Sequence, residues 1–199
     1  MEASPKGLRL HIAFFGRRNV GKSSLLNALT RQQVSIVSDI AGTTTDPVEK
    51  PMELLPLGPV LFIDTAGIDD TGALGELRVN KTRQVFDRTD LAILVAEADT
   101  WGDFEQQILA TLQTRNTPVI VAFNKSDSGR PDAAMVNRLA DRKIPAICTS
   151  ATKGEGILDL RQALLDAAPA DFVNSPAIVG DLVGPGEMAV LVVPIDKEA

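Results

Sequence analysis

Gly16-Arg17-Arg18-Asn19-Val20-Gly21-Lys22-Ser23 sets two glycines, a lysine and a serine at the spacing G-x-x-x-x-G-K-S. That order suits phosphate. Backbone N–H groups of Arg18, Asn19, Val20, Gly21, Lys22, Ser23 and Ser24 can curl around phosphate oxygens, and glycines at 16 and 21 let the backbone approach them closely. Lys22 can reach the outer phosphates, and the Ser23 hydroxyl can ligate Mg²⁺. A helix opening at Lys22 would turn the positive end of its dipole toward the same anion. By itself the pattern still admits ATPases, kinases and chance.

Three further groups narrow the choice. Asp64-Thr65-Ala66-Gly67 ends an apolar run, where the aspartate can hold a Mg²⁺-bound water and the Gly67 N–H can reach a γ-phosphate. Asn124-Lys125-Ser126-Asp127 ends another, and these residues are expected to read guanine. The Asp127 carboxylate can accept from N1–H and the 2-amino group of guanine, donors that adenine lacks, so the wrong base leaves charge unpaired. Thr149-Ser150-Ala151 closes a last run, with backbone N–H groups able to donate to the guanine carbonyl. Either D-x-x-G or N-K-x-D alone occurs by chance in many loops. Four groups in order, each after an apolar run, point to GTP and GDP.

Between the first two groups lies Ser38-Asp39-Ile40-Ala41-Gly42-Thr43-Thr44-Thr45-Asp46, a polar stretch stopped by Pro47. It reads as a mobile loop in which Thr44 completes Mg²⁺ coordination while a γ-phosphate is present. The bland alternative is an ordinary solvated connection. Ile68 stands directly after Gly67 and, being apolar, cannot orient an attacking water.

The elements that must position these groups follow from the apolar runs. Strands are expected at Leu8–Phe15, Val48–Leu55, Val60–Ile63, Leu91–Val95, Val119–Phe123 and Ala146–Cys148. Helices are expected at Lys22–Thr30, Glu76–Phe86, Phe104–Gln113, Asp132–Ala140 and Ile157–Ala167. Pro56-Leu57-Gly58-Pro59 joins two of the strands as a hairpin. The alternation predicts an α/β fold, a mostly parallel six-stranded sheet with helices on both faces, and with the four groups above it resembles the P-loop NTPase fold of Ras-like GTPase domains. Ligands on such sheets sit at the carboxyl ends of the strands, where all four groups fall.

Of 199 residues, 44% are hydrophobic and 23% charged, which suits one ordinary domain plus a remnant. No apolar stretch is long enough to span a bilayer, and Met1–Lys6 has no signal-peptide pattern, so a cytoplasmic protein without a membrane role is expected. The net charge of −6 argues against nucleic acid as the main partner. Residues 1–169 read as the GTPase domain. Pro169, Pro176, Gly180, Gly184, Pro185 and Gly186 punctuate a linker in 170–199, and Met188–Val193 reads as the first strand of a second domain cut short at Ala199.

These residues resemble the translation-factor-like GTPases related to the tRNA-modification and ribosome-assembly enzymes. Asn19 and the A-G-T-T-x-D form of residues 41–46 are typical of the potassium-activated members. The resemblance implies K⁺ held by the Asn19 side chain and the carbonyls of Ser38 and Ile40, supplying charge that an arginine finger supplies elsewhere. The alternative is that Asn19 is a turn-favouring residue with no metal. Glu76 aligns with a water-orienting glutamate of the tRNA-modifying relatives; a solvated carboxylate at a helix start is the other reading.

The runs Gly7–Lys22, Thr43–Pro47, Met52–Pro59 and Asp181–Lys197 look like the FeFe-hydrogenase maturation GTPases. That resemblance covers essentially the whole chain. It implies a homodimer in the full-length protein, and hydrogenase maturation enzymes and FeFe-hydrogenase itself as partners. An iron–sulfur cluster would belong to domains absent from this chain. The activity implied is slow GTP hydrolysis by in-line attack of water, with Lys22, Mg²⁺ and K⁺ offsetting charge and Gly67, Thr44 and Glu76 at the reacting end. A nucleotide-gated interaction module and a ribosome- or tRNA-directed GTPase are the rival readings.

Some residues invite over-reading. Cys148, the single cysteine, is expected to be a small core residue, and His11 to be structural or superficial. Arg17 and Arg18 read as loop-surface arginines before they read as fingers, and Trp101 and Phe104 as packing before partner contacts.

Overall fold

The computed structural model describes residues 9–31, 48–55, 57–65 and 84–173. Within them run β1 (Leu10–Phe15), α1 (Lys22–Arg31), β2 (Val48–Leu54), β3 (Gly58–Asp64), β4 (Leu91–Glu97), α2 (Asp103–Thr114), β5 (Val119–Asn124), α3 (Ala133–Asp141), β6 (Ala146–Cys148), α4 (Ile157–Ala167) and the short α5 (Ala170–Val173). Residues 84–88 are also helical.

One six-stranded sheet has the order β2-β3-β1-β4-β5-β6. Only β2 is antiparallel, paired with β3 in the register Leu54 to Gly58 and Val48 to Asp64. The continuous apolar runs make sense because both faces of the central strands are covered. Leu10, Ile12 and Phe14 face one cluster with Leu25, Leu26 and Leu29 of α1 and Leu160 and Leu164 of α4. Ala13 and Phe15 face the other, with Ile108, Leu109 and Leu112 of α2 and Leu139 of α3. β2, at the sheet edge, instead alternates in burial and tolerates Pro51, whose missing N–H would break an interior ladder.

Observed bounds depart from the expected ones where pairing decides them. β3 reaches back to Gly58 because Leu54 pairs there, and β4 runs on to Glu97 because Asn124 of β5 is its partner. Of the helix expected at Glu76–Phe86, only its end lies among the described residues; of the linker and strand expected in 170–199, residues 170–173 form α5 and the rest lie outside them. Cys148 is a correction. β6 is a three-residue edge strand, and the thiol is exposed rather than in the core. Trp101 and Phe104 pack against the second cluster as expected, Trp101 with its ring centroid 5.6 Å from that of Phe123.

Candidate nucleotide-binding site

Because β1, β3, β4, β5 and β6 all run parallel, Phe15, Asp64, Glu97, Asn124 and Cys148 end at one edge of the sheet. From β1, β3, β5 and β6 the chain passes there into the four groups described above, and from β4 into the short connection that leads to α2. The phosphate loop turns between β1 and α1 with Gly21 at φ 90°, which L side chains rarely adopt. A Cβ there would stand 2.3 Å from Nδ2 of Asn124, so the loop and the end of β5 meet only because residue 21 is glycine.

Lys22 is buried, and its Nζ donates to the carbonyls of Gly16 (3.0 Å) and Arg17 (2.7 Å), inside the loop that would embrace phosphate. Ser23 Oγ donates to Asp64 Oδ2, joining the start of α1 to the end of β3. Both are hard oxygen donors. Among the described residues no cluster of three or more His, Cys, Asp or Glu side chains could hold a metal. One hydroxyl and one carboxylate, with phosphates to complete the set, fit Mg²⁺, which prefers few protein ligands. Ser24 is exposed one position further along α1, and Val20 is buried.

Arg18 and Asn19 are exposed at the tip of the loop. Asn19 has φ 63°, the left-handed region that asparagine tolerates better than most residues, so its turn duty is fulfilled by the backbone. Ser38 and Ile40, the other expected K⁺ ligands, lie outside the described residues, as do Thr44, Gly67 and Glu76. Arg17 is not a plain surface residue. Its Nε donates to Oε1 of Glu105 at 2.7 Å, and its guanidinium lies 4.9 Å from the Phe104 ring centroid.

The base-reading side is assembled from β5 and β6. Asp127 Oδ1 accepts from Ser150 Oγ at 2.8 Å, and Lys153 Nζ stands 4.0 Å from Oδ2. The Ser150 hydroxyl first, then the residue's own backbone N–H, hold the Asp127 carboxyl below its usual 3.8; burial opposes them, and the Lys153 charge adds the smallest pull. The carboxylate is thereby kept ionised and oriented. Lys125, at φ 60°, places its ammonium against Glu97 at the end of β4.

Asn124 does something that its motif did not reveal. It is 2% exposed, and its amide bridges three segments: Nδ2 donates to the Val20 carbonyl at 2.8 Å, while Oδ1 accepts from Ala151 N–H (3.2 Å) and Thr149 Oγ1 (3.3 Å). A side chain so placed joins the phosphate loop to the base loop. The backbone N–H groups of 149–151, expected to face the guanine carbonyl, are engaged within the fold in this structure. Those of Thr149, Ser150 and Ala151 donate to Phe123 O, Glu155 O and Asn124 Oδ1, because the turn after β6 is closed upon β5 and upon itself.

Residues 11–125 match the 50S ribosome-binding GTPase family. This chain belongs to that family of P-loop GTPases. The tRNA modification GTPase MnmE of Exiguobacterium sibiricum is 39% identical over 157 residues, which is 78% of this chain and 34% of the relative. GTPase Der of Wolinella succinogenes is 34% identical over 175 residues, 83% of this chain and 37% of the relative. The GTPase thus spans about a third of the length of the curated relatives it matches. Among solved structures, Aquifex aeolicus Era bound to GDP·AlF4⁻ superposes with a TM-score of 0.65 at 29% identity, covering 80% of this chain and 56% of that one. Era in complex with MgGDPNP and a segment of 16S ribosomal RNA gives 0.63 at 31%, with the same shares covered. The named relatives are tRNA-modification and Der-type GTPases, so hydrogenase maturation has no support from them.

Proposed function

We propose that this GTPase domain binds Mg²⁺–GTP and hydrolyses it slowly, using the cycle as a switch for a larger protein. The observation that carries the reading is the meeting of Lys22, the Ser23–Asp64 pair and the Ser150-held Asp127 at one sheet edge. Lys22 leaves the Gly16 and Arg17 carbonyls for the β- and γ-phosphates and offsets charge there. Ser23 and Thr44 hold Mg²⁺, with Asp64 orienting its water. When bound, the ion neutralises charge developing on the transferred phosphoryl oxygens. Gly67 N–H faces the γ-phosphate, Asp127 accepts from guanine, and Glu76 orients the attacking water that Ile68 cannot hold.

Asn19, Ser38 and Ile40 are read as the K⁺ ligands that assist this step. GTP turnover measured in matched KCl and NaCl tests it. A gain in KCl that disappears in Asn19→Ala supports the site; equal rates in both salts, with normal GTP binding, remove K⁺ and leave a slow binding switch.

What the switch serves divides two ways. Sequence similarity to MnmE and Der supports an RNA-modification or ribosome-assembly role. The runs Gly7–Lys22, Met52–Pro59 and Asp181–Lys197 favour FeFe-hydrogenase maturation, with the full-length protein as a homodimer meeting the other maturation enzymes. The net charge of −6 favours the second. Turnover stimulated by tRNA or ribosomal RNA would decide for the first. Hydrogenase left inactive in cells carrying Lys22→Ala would decide for the second.

A further inference from the structure

A glutamate is common in the first turn of a helix, but Glu105 is unusual there for its burial. It is fully buried, 0% exposed, yet carries a carboxylate, and no motif for nucleotide binding includes it. One of its oxygens, Oε2, accepts the N–H of Gly102 at 2.9 Å and so caps α2. Capping alone needs a single oxygen and leaves the other in water. Here both oxygens also meet the fork of Arg17, Nε to Oε1 at 2.7 Å and Nη2 to Oε2 at 3.2 Å. Phe104 lies beneath the same guanidinium, and Trp101 of the adjoining segment packs on Phe123.

Arg17 belongs to the phosphate loop. Its own carbonyl is the nearer acceptor of Lys22 Nζ, at 2.7 Å. The two-pronged contact with Glu105 therefore fixes the residue whose peptide group helps to place the phosphate-binding lysine. A lysine at 17 could carry the charge but not the planar fork.

We infer that Glu105 is a positioning residue of the nucleotide site, holding the first half of the phosphate loop through Arg17 and tying nucleotide binding to α2. The pair is not needed to keep the core filled, since apolar residues of similar length can replace a buried ion pair without loss of folding. It is needed to hold one geometry of the loop, as outer partners hold the ligands of a metal. Removing it lowers nucleotide affinity at both GDP and GTP, raising KM while kcat falls less.

The inference rests on the proposed nucleotide site, and its test separates the two. Binding of a fluorescent GDP analogue to the full chain is compared for wild type, Lys22→Ala, Arg17→Lys, Glu105→Gln and the double variant Arg17→Met/Glu105→Met. Failure of wild type to bind overturns the site itself. With wild type binding, the double variant is expected to keep its cooperative unfolding yet bind about tenfold more weakly, the loss typical of a missing outer partner. Arg17→Lys is expected to fall between it and wild type. Equal affinity in the folded double variant, or Arg17→Lys indistinguishable from wild type, would reduce Glu105 to a helix cap and overturn the inference. The double variant keeps this outcome readable if Glu105→Gln, which removes the charge of the buried carboxylate, does not fold.

Discussion

Replacing Asn124 by alanine tests whether the two halves of the site are joined as described. The substitution removes one short hydrogen bond, to the Val20 carbonyl at 2.8 Å, and two longer ones, from Ala151 N–H at 3.2 Å and Thr149 Oγ1 at 3.3 Å. Val20 and Thr149 are 2% and 0% exposed, so water reaches their orphaned groups poorly. The short bond contributes about 1 kcal/mol net, and a buried carbonyl left without a donor costs about 1–2 kcal/mol more. The bond to the half-buried Ala151 N–H adds little, because a water can take its place in the space vacated by the amide. The buried Thr149 hydroxyl adds less than the carbonyl because its bond was long, at 3.3 Å.

The expected loss is therefore about 2–3 kcal/mol, within the 5–15 kcal/mol or so that a domain has in hand. Urea unfolding followed by fluorescence of Trp101, the one tryptophan, reads it directly, since that ring packs on Phe123 beside Asn124. With a urea slope near 2 kcal/mol/M the midpoint should fall by about 1 M, the slope unchanged. Asn124→Asp keeps the acceptor but not the donor and sets a charge against the Val20 carbonyl, so it should lose at least as much. A midpoint shift below about 0.3 M in both variants would refute the bridge and return Asn124 to base contact alone.

Ser150→Ala removes the largest cause of the depressed Asp127 carboxyl, so that group should titrate closer to its ordinary 3.8 in a carboxyl-resolved NMR titration. A carboxyl depressed in the folded state stabilises above its unfolded pKa, and that stability is lost as the pH falls through the folded one. In wild type the loss belongs below pH 3.8, and the variant should show a smaller contribution from this residue; an unmoved titration would show that the hydroxyl is a bystander. Gly156 stands at φ 68°, and a Cβ there would lie 2.0 Å from the Cys148 carbonyl. Gly156→Ala should therefore cost about 2 kcal/mol or more by thermal unfolding and weaken guanine nucleotide binding through the 149–151 turn; unchanged melting would mean that this turn yields easily.

Much of this was readable in the chain. Gly16, Gly21, Lys22 and Ser23 act at fixed local spacing, and a loop followed at once by a helix needs nothing distant to take shape. The strands were readable because strands covered on both faces must be apolar throughout, as in Leu91–Ala96. Asp127 with Ser150, and Ser23 with Asp64, were legible only as separate motifs whose convergence had to be assumed from the fold. Cys148 misled because an apolar neighbour suggests a core, whereas position at the sheet edge decided its exposure.

The sequence by itself determined the chemistry on offer: a phosphate loop, hard oxygens for Mg²⁺, an acceptor for guanine, and an alternation that can only close as a covered parallel sheet. Which side chain holds which was decided by the tertiary structure. Asn124 reaches Val20 across 104 residues, and Arg17 reaches Glu105 across 88. Those partners become neighbours through the strand order β1-β4-β5, which brings the phosphate loop, the start of α2 and the end of β5 to one edge. Local spacing carries no trace of such contacts, because their geometry comes from packing the sheet and not from the residues beside them.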